Sequence, residues 1–229
     1  MQAIILAGGL GTRLKSTVNN VAKPMAPIGD TPFLECVLKN LKKNKITSVV
    51  LSVGHQWETI ESYFGLNFDG IDLKYSIESE PLGTGGAIKK SINLISDDLV
   101  FIVNGDTFYD FDFSQMMENF QDDSQLMLSL KLMHEFDRYG CVEVDDHGCV
   151  IAFKEKRFKK SGYINGGVYL VKKSLFKGFN LPQKFSFEEF MENNFLILKA
   201  HAKVFDGYFI DIGVPEDFKK AQIELKCRI

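Results

Sequence analysis

Three short apolar runs organise the first half of the chain. Ala3-Ile4-Ile5-Leu6-Ala7 stops at Gly8-Gly9. Val49-Val50-Leu51-Ser52-Val53 stops at Gly54, and Leu99-Val100-Phe101-Ile102-Val103 stops at Asn104-Gly105-Asp106. Such unbroken runs predict strands covered on both faces, as in a parallel sheet. Helical periodicity fills the intervals. Leu34, Val37, Leu38 and Leu41 follow the i, i+3, i+4, i+7 rule, and Thr31 with Pro32 predicts a capped start just before them. Trp57, Ile60 and Phe64 predict a second, shorter helix, and Gly85 to Leu94 a third. Strands alternating with helices predict a βαβ-wound sheet with right-handed crossovers.

The second half is patterned differently. Leu126 to Met133 and Gly167 to Val171 predict strands. Cys141 to Asp145 and Cys149 to Phe153, around Asp146-His147-Gly148, predict a β-hairpin. Ser186-Phe187-Glu188-Glu189 has the form of a capping box, opening a helix with Phe187, Phe190, Met191 and Leu198 on one side. A last helix is predicted from Pro215 to Lys226, with Phe218, Ala221 and Leu225 at helical spacing. No repeat, low-complexity tract or linker separates the halves, so the expectation is one α/β sheet with antiparallel additions.

Composition narrows the function classes. Lys and Arg number 27 against 30 Asp and Glu, a net charge of −3 over 229 residues, so no global positive field exists to hold nucleic acid or an anionic membrane. With 45% apolar and 25% charged residues the chain reads as an ordinary globular protein. No apolar run nears the ~18 residues of a membrane helix, and the first run has no cationic lead, so a cytoplasmic protein is expected. Cys36, Cys141, Cys149 and Cys227 form no C-x-x-C pair and read as free thiols.

Candidate chemistry gathers where the predicted strands end. Gly8, Gly9 and Gly11 let backbone N–H groups approach and cradle phosphates, and Arg13 adds a planar fork for phosphate oxygens. Neither G-x-G-x-x-G nor a P-loop fits this spacing; a tight strand-to-helix turn is the plain alternative. Asp106 ends a strand parallel to the first and should share its cleft. A carboxylate there suits Mg²⁺, which takes one or two carboxylates plus substrate phosphates. Asp211, between Ile210 and Ile212, needs a metal, a cation or hydrogen bonds if buried, and can complete a two-carboxylate site. For both aspartates a turn or capping role is the plain alternative. Glu78 to Ala87 forms a second glycine-rich helix entry. Glu155-Lys156 can hold a sugar hydroxyl and a phosphate, or be a solvated pair. His55, His134, His147 and His201 lack a triad-like setting, and no G-x-S-x-G elbow occurs.

Read together and in order, L-A-G-G-L-G-T-R-L with K-P-M-A-P-I, then E-P-L-G-T-G-G-A, N-G-D-T, Y-G, F-K-E-K, N-G-G-V-Y and D-I-G-V-P-E-D-F resemble the signature set of sugar-1-phosphate nucleotidyltransferases. Among these, the chain is most similar to those that guanylylate D-glycero-α-D-manno-heptose 1-phosphate for bacterial surface polysaccharides. The resemblance implies a Rossmann-like three-layer α/β/α fold with a mixed, mainly parallel sheet and a small antiparallel sugar-binding portion. It also implies one catalytic domain over residues 1–229, without the C-terminal β-helix of longer members. It places Gly8, Gly9 and Gly11 against the nucleotide, Thr12 and Arg13 on its phosphates, and Lys23 at the reacting centre. Leu6, Ala7, Glu78, Pro81, Gly83 and Gly105 join them as nucleotide-binding positions. Asp106 and Asp211 would hold Mg²⁺. Gly140, Glu155, Lys156, Asn165 and Gly166 would line the sugar phosphate. Val214 and Arg157 replace residues frequent at those positions in the family, and neither is a ligand.

Thymidylyl and uridylyl members usually carry Gln where this chain has Glu78. Guanine's N1–H and N2–H₂ donors suit an acceptor-only carboxylate, which favours GTP. The implied reaction is attack of a sugar 1-phosphate oxygen on the α-phosphate of a nucleoside triphosphate, with pyrophosphate leaving. Arg13, Lys23 and Asp106 would carry it, and a homodimer is compatible with it. Open alternatives are a mannose-1-phosphate guanylyltransferase or a glucose-1-phosphate thymidylyl- or uridylyltransferase. A non-catalytic sensor would be expected to lack some of Arg13, Lys23, Asp106 and Asp211. A glycosyltransferase could use Asp110-Phe111-Asp112 but would leave the glycine-Arg-Lys signature without a purpose.

Overall fold

The computed structural model describes residues 1–9 and 22–225. In chain order these form β1 (Gln2–Leu6), a ribbon of β2 (Pro27–Ile28) and β3 (Thr31–Pro32), α1 (Phe33–Lys43), β4 (Ser48–Val53) and α2 (Trp57–Phe64). There follow β5 (Asn67–Phe68), β6 (Ile71–Ile77), α3 (Gly83–Ser91), β7 (Leu99–Asn104), β8 (Thr107–Tyr109) and α4 (Ser114–Asn119). The last part is β9 (Leu126–Phe136), β10 (Cys141–Val144), β11 (Val150–Lys154), β12 (Lys159–Lys172), α5 (Phe187–Asn194), β13 (His201–Val204), β14 (Phe209–Asp211) and α6 (Pro215–Glu224).

The sheet is mixed, with a parallel centre. β1 lies between β4 and β7, parallel to both, so that Ile4 faces Val50 on one side and Ile102 on the other. β6 continues the parallel set beyond β4. β12 then runs antiparallel to β7, β9 runs antiparallel to β12, and β10–β11 is the expected hairpin.

Both faces of this sheet are covered, which explains the unbroken apolar runs. Ala3, Ile5, Val49 and Leu51 face one layer, with Leu34, Val37, Leu38 and Leu41 of α1, Ile60 of α2 and Ala221 of α6. Ile4, Val50, Val100 and Ile102 face the other, with Ile88 of α3 and Phe187, Phe190 and Met191 of α5. Side chains alternate across a strand, so a strand with two buried faces has no polar position to display. The expected α/β architecture with antiparallel additions is the one observed.

Local starts differ from the pattern-based expectation. Thr31 does not cap α1. Thr31 and Pro32 pair with Ile28 and Pro27 in the β2–β3 ribbon, Pro32 is extended at ψ 149°, and the helix begins at Phe33. α3 opens two residues earlier than expected. Leu198 lies beyond α5, packed from the following turn. The Ser186 cap is present: its Oγ accepts the Glu189 N–H at 3.2 Å. Cys36 and Cys141 are buried free thiols, and Cys149 is a half-buried one; burial pushes the Cys36 thiol up to about 12. Lys226 and Cys227 lie outside the described residues.

Candidate functional site

Two cavities open at the carboxyl edge of the parallel strands, where wound sheets bind ligands. The first is about 500 Å³ and is lined by Leu6, Gly8, Gly9, Lys23, Glu78, Pro81, Gly83, Gly105 and Asp106, among others. Each of these was a nucleotide or catalytic candidate. The second is about 640 Å³ and holds Gly140, Glu155, Lys156, Asn165 and Asp211, the sugar-side and second metal candidates. Asn104, Asp106 and Glu188 line both cavities, so the two spaces meet there.

Close packing of strand ends builds the first cavity. The Gly105 N–H donates to Leu6 O at 3.1 Å, and a Cβ on Gly105 would lie 2.4 Å from that oxygen. A Cβ on Gly8 would come within 2.9 Å of Glu78 Oε1. Glu78 follows β6 and is held in place: Oε2 accepts the Leu82 N–H at 2.9 Å and Oε1 accepts Ser52 Oγ at 3.3 Å. Ala7 lies buried behind the wall, its N–H bonded to Ser52 O at 2.8 Å. Gly11, Thr12 and Arg13 lie outside the described residues.

Asp106 and Asp211 come together because β8 and β14 pair, with Asp211 opposite Thr107 and the Ile212 N–H donating to Asp106 O at 2.9 Å. Lys23 crosses to the same point, its ammonium bound to Asp106 Oδ2. The Gly213 N–H donates to Asp211 Oδ1 at 2.6 Å. Burial, then the Asp106 carboxylate, push the Asp211 carboxyl above the usual carboxylate range, against the pull of Lys23 and the Gly213 N–H. Positive charge beside the two carboxylates, as Lys23 supplies at Asp106, relieves their mutual repulsion. Their oxygen donors fit Mg²⁺, which prefers oxygen and keeps sites for phosphate, and both carboxylates line the second cavity, Asp106 the first as well.

Gly166 is placed differently from the expectation. A Cβ there would meet Tyr109 and Ser129 at 2.6 and 2.8 Å, so Gly166 turns into the core, while Gly167 lines the second cavity. The cause is a shift in the β9–β12 register between Asn165 and Tyr169, with Gly167 at φ +72°. Asn165 braces this bulge, accepting the Gly167 N–H at 3.0 Å and donating to Tyr169 Oη at 2.8 Å.

Sequence reading passed over several wall residues. Thr84 Oγ1 donates to Glu188 Oε2 at 2.7 Å and accepts the Phe187 N–H at 2.8 Å, which ties α3 to α5 beneath both cavities. Glu192 of α5 lines the second cavity; burial first, then Glu155, Glu188 and Glu189, raise its carboxyl pKa, with Lys156 opposing. Arg138 lines the same cavity directly before the Tyr139-Gly140 pair, and that position beside the Y-G motif was the signal available.

Comparison with known proteins gives the family. The family model described as nucleotidyl transferase covers residues 2–227. The chain belongs to the nucleotidyl transferase family. It is 55% identical over 218 residues to the D-glycero-alpha-D-manno-heptose 1-phosphate guanylyltransferase of Campylobacter jejuni, covering 95% of this chain and 97% of that protein. It is 50% identical over 228 residues to the enzyme of the same name from Aneurinibacillus thermoaerophilus, covering 99% of both. The crystal structure of HddC from Yersinia pseudotuberculosis complexed with GMP-PN superposes with a TM-score of 0.83. It is 36% identical, over 96% of this chain and 97% of its own.

Proposed function

We propose that this protein transfers GMP from GTP to D-glycero-α-D-manno-heptose 1-phosphate in the cytoplasm, releasing pyrophosphate and forming a GDP-heptose for surface polysaccharide synthesis. The transfer chemistry is supported by the meeting of two cavities at Asp106, with Asp211 on the wall of the second. Base and sugar are supported by the two relatives that carry that name over nearly their whole length. Among the described residues no helix is long and apolar enough to cross a membrane.

In this reading GTP lies in the first cavity, along Leu6, Gly8 and Gly9, with its phosphates towards Lys23, and Arg13 is assigned to those phosphates by the sequence motif alone. The sugar 1-phosphate enters the second cavity along Gly140, Glu155, Lys156 and Asn165. Its phosphate has a second pKa near ~6 and is mostly ionised at neutral pH, so no side chain need take its proton. That agrees with a site whose walls hold no histidine among the described residues. Asp106 and Asp211 would hold Mg²⁺, which supplies charge neutralisation to the triphosphate oxygens when bound. Lys23, released from Asp106, would move onto the phosphates. Glu78, which lines the first cavity, would accept guanine N1–H and N2–H₂. Loss of one such charged contact typically costs about 10²-fold in rate.

A pyrophosphate-release screen of GTP, ATP, CTP and UTP, extended to dTTP, against a panel of sugar 1-phosphates tests the proposal. GTP with the manno-heptose 1-phosphate should be the fastest pair. Equal rates with UTP or dTTP would remove the base assignment, and equal rates with mannose 1-phosphate the sugar assignment.

A further inference from the structure

The two cavities place unequal charge around the reaction. The donor side has Lys23 bound to Asp106, with Asp211 beside it. The acceptor in the proposed function is a phosphate carrying close to two negative charges. It must approach those carboxylates and an anionic α-phosphate, so its own side needs a fixed cation near Asp211. Among the described residues the second cavity offers Arg138, Lys154 and Lys156. Lys154 is paired with Glu143 at 3.3 Å, and Lys156 stands among Glu155 and Glu192. Arg138 differs from both. Asp211 and Asp217 are among the charges acting on it.

Its placement is fixed from two directions. Asp217, in the first turn of α6, takes one N–H of the guanidinium. The guanidinium carbon sits 5.5 Å from the centre of the Tyr139 ring, and that ring packs edge-on against Phe209 of β14, 6.5 Å away. Phe209 and Asp211 belong to the same short strand, so the cation and the carboxylate are positioned by one element. Arginine carries a rigid fork of five donors, and the pair with Asp217 uses one edge of it. A tie between two surface segments would need no opening onto a cavity, and an exposed ion pair contributes little to stability.

The geometry points to Arg138 as the residue that receives the phosphate of the sugar 1-phosphate and orients it beside Asp211, with Asp217 and Tyr139 as its positioning residues. This rests on the second cavity being the sugar 1-phosphate site. The nucleotide, in the first cavity, is not touched by it.

Initial rates of Arg138→Met and Arg138→Lys, with GTP and the heptose 1-phosphate varied in turn, test the assignment. In Arg138→Met the KM for the sugar 1-phosphate should rise about 10-fold or more, the loss expected of a charge-assisted contact, while the KM for GTP stays within about twofold. Arg138→Lys, which keeps the charge and loses the fork, should fall between Met and wild type, and it serves if the Met variant does not fold. An unchanged sugar-phosphate KM, or an equal rise in both KM values, overturns the inference. Wild-type protein that turns over no sugar 1-phosphate overturns the proposed function itself, a separate result read in the same assay.

Discussion

At the scale of single residues the site is an electrostatic balance among Lys23, Asp106 and Asp211. Lys23 binds Asp106, and Asp211 is left desolvated beside a like charge. Replacing either aspartate by Asn keeps the volume and removes one charge. Asp106→Asn and Asp211→Asn are each expected to fold and to lose Mg²⁺-dependent pyrophosphate release by about 10²-fold or more; near-normal turnover in either would refute the metal assignment. Glu78 is a second point of leverage, because its oxygens already accept from Leu82 and Ser52 while bordering the first cavity. Glu78→Gln turns one acceptor into a donor, and kcat/KM for GTP should fall about 10- to 100-fold relative to UTP. A GTP-to-UTP ratio that does not move would remove Glu78 from base selection. These residues were legible beforehand since chemistry of this kind needs Lys, Asp and Glu at strand ends. Gly166 was less legible. Which of Gly166 and Gly167 faces the cavity depends on a bulge in the β9–β12 register.

At the scale of elements, β1, β4, β7 and the helix stripes were visible because burial on two faces leaves a composition no loop shares. The N-terminal half of β12 was not visible. Lys159 to Gly162 are polar or small, and they are strand because β9 supplies the partner. Thr31 and Pro32 carried a capping signal that the β2–β3 pairing overrode. The entry to α3 shows how strictly an element can be held. Gly83 sits at φ +70°, a Cβ there would lie 2.5 Å from Phe185 O, and the Gly85 N–H donates to that same oxygen at 3.0 Å. Gly83→Ala therefore meets both a left-handed backbone, costing about 1–2 kcal/mol, and a clash. The melting temperature should drop by at least roughly 2–8 °C, at about 2–4 °C per kcal/mol for a domain of this size. The KM for nucleotide should rise with it, as Gly83 lines that cavity. A variant that melts and binds like wild type would show that this turn relaxes freely.

At the scale of the whole molecule, a net charge of −3 excluded a general polyanion binder, yet the proposed substrates are small polyanions. The fold reconciles the two by placing individual cations, Lys23, Arg138 and Lys156, among the carboxylates that line the two cavities. Local charge of this kind should make stability depend on ligand and metal together. A ligand at 100 times its Kd adds about 2.7 kcal/mol to a protein it binds only when folded. At about 2–4 °C per kcal/mol, saturating GTP with Mg²⁺ should raise the melting temperature by roughly 5–11 °C. UTP at the same concentration should raise it less. The discriminating comparison is Asp106→Asn with GTP, with and without Mg²⁺. If Asp106 and Asp211 hold the ion between nucleotide and protein, the Mg²⁺-dependent part of the shift disappears in the variant while some metal-free shift from the glycine wall and Glu78 remains. If the variant keeps the full Mg²⁺-dependent shift, the ion is carried by the triphosphate alone and the two aspartates serve only to hold Lys23.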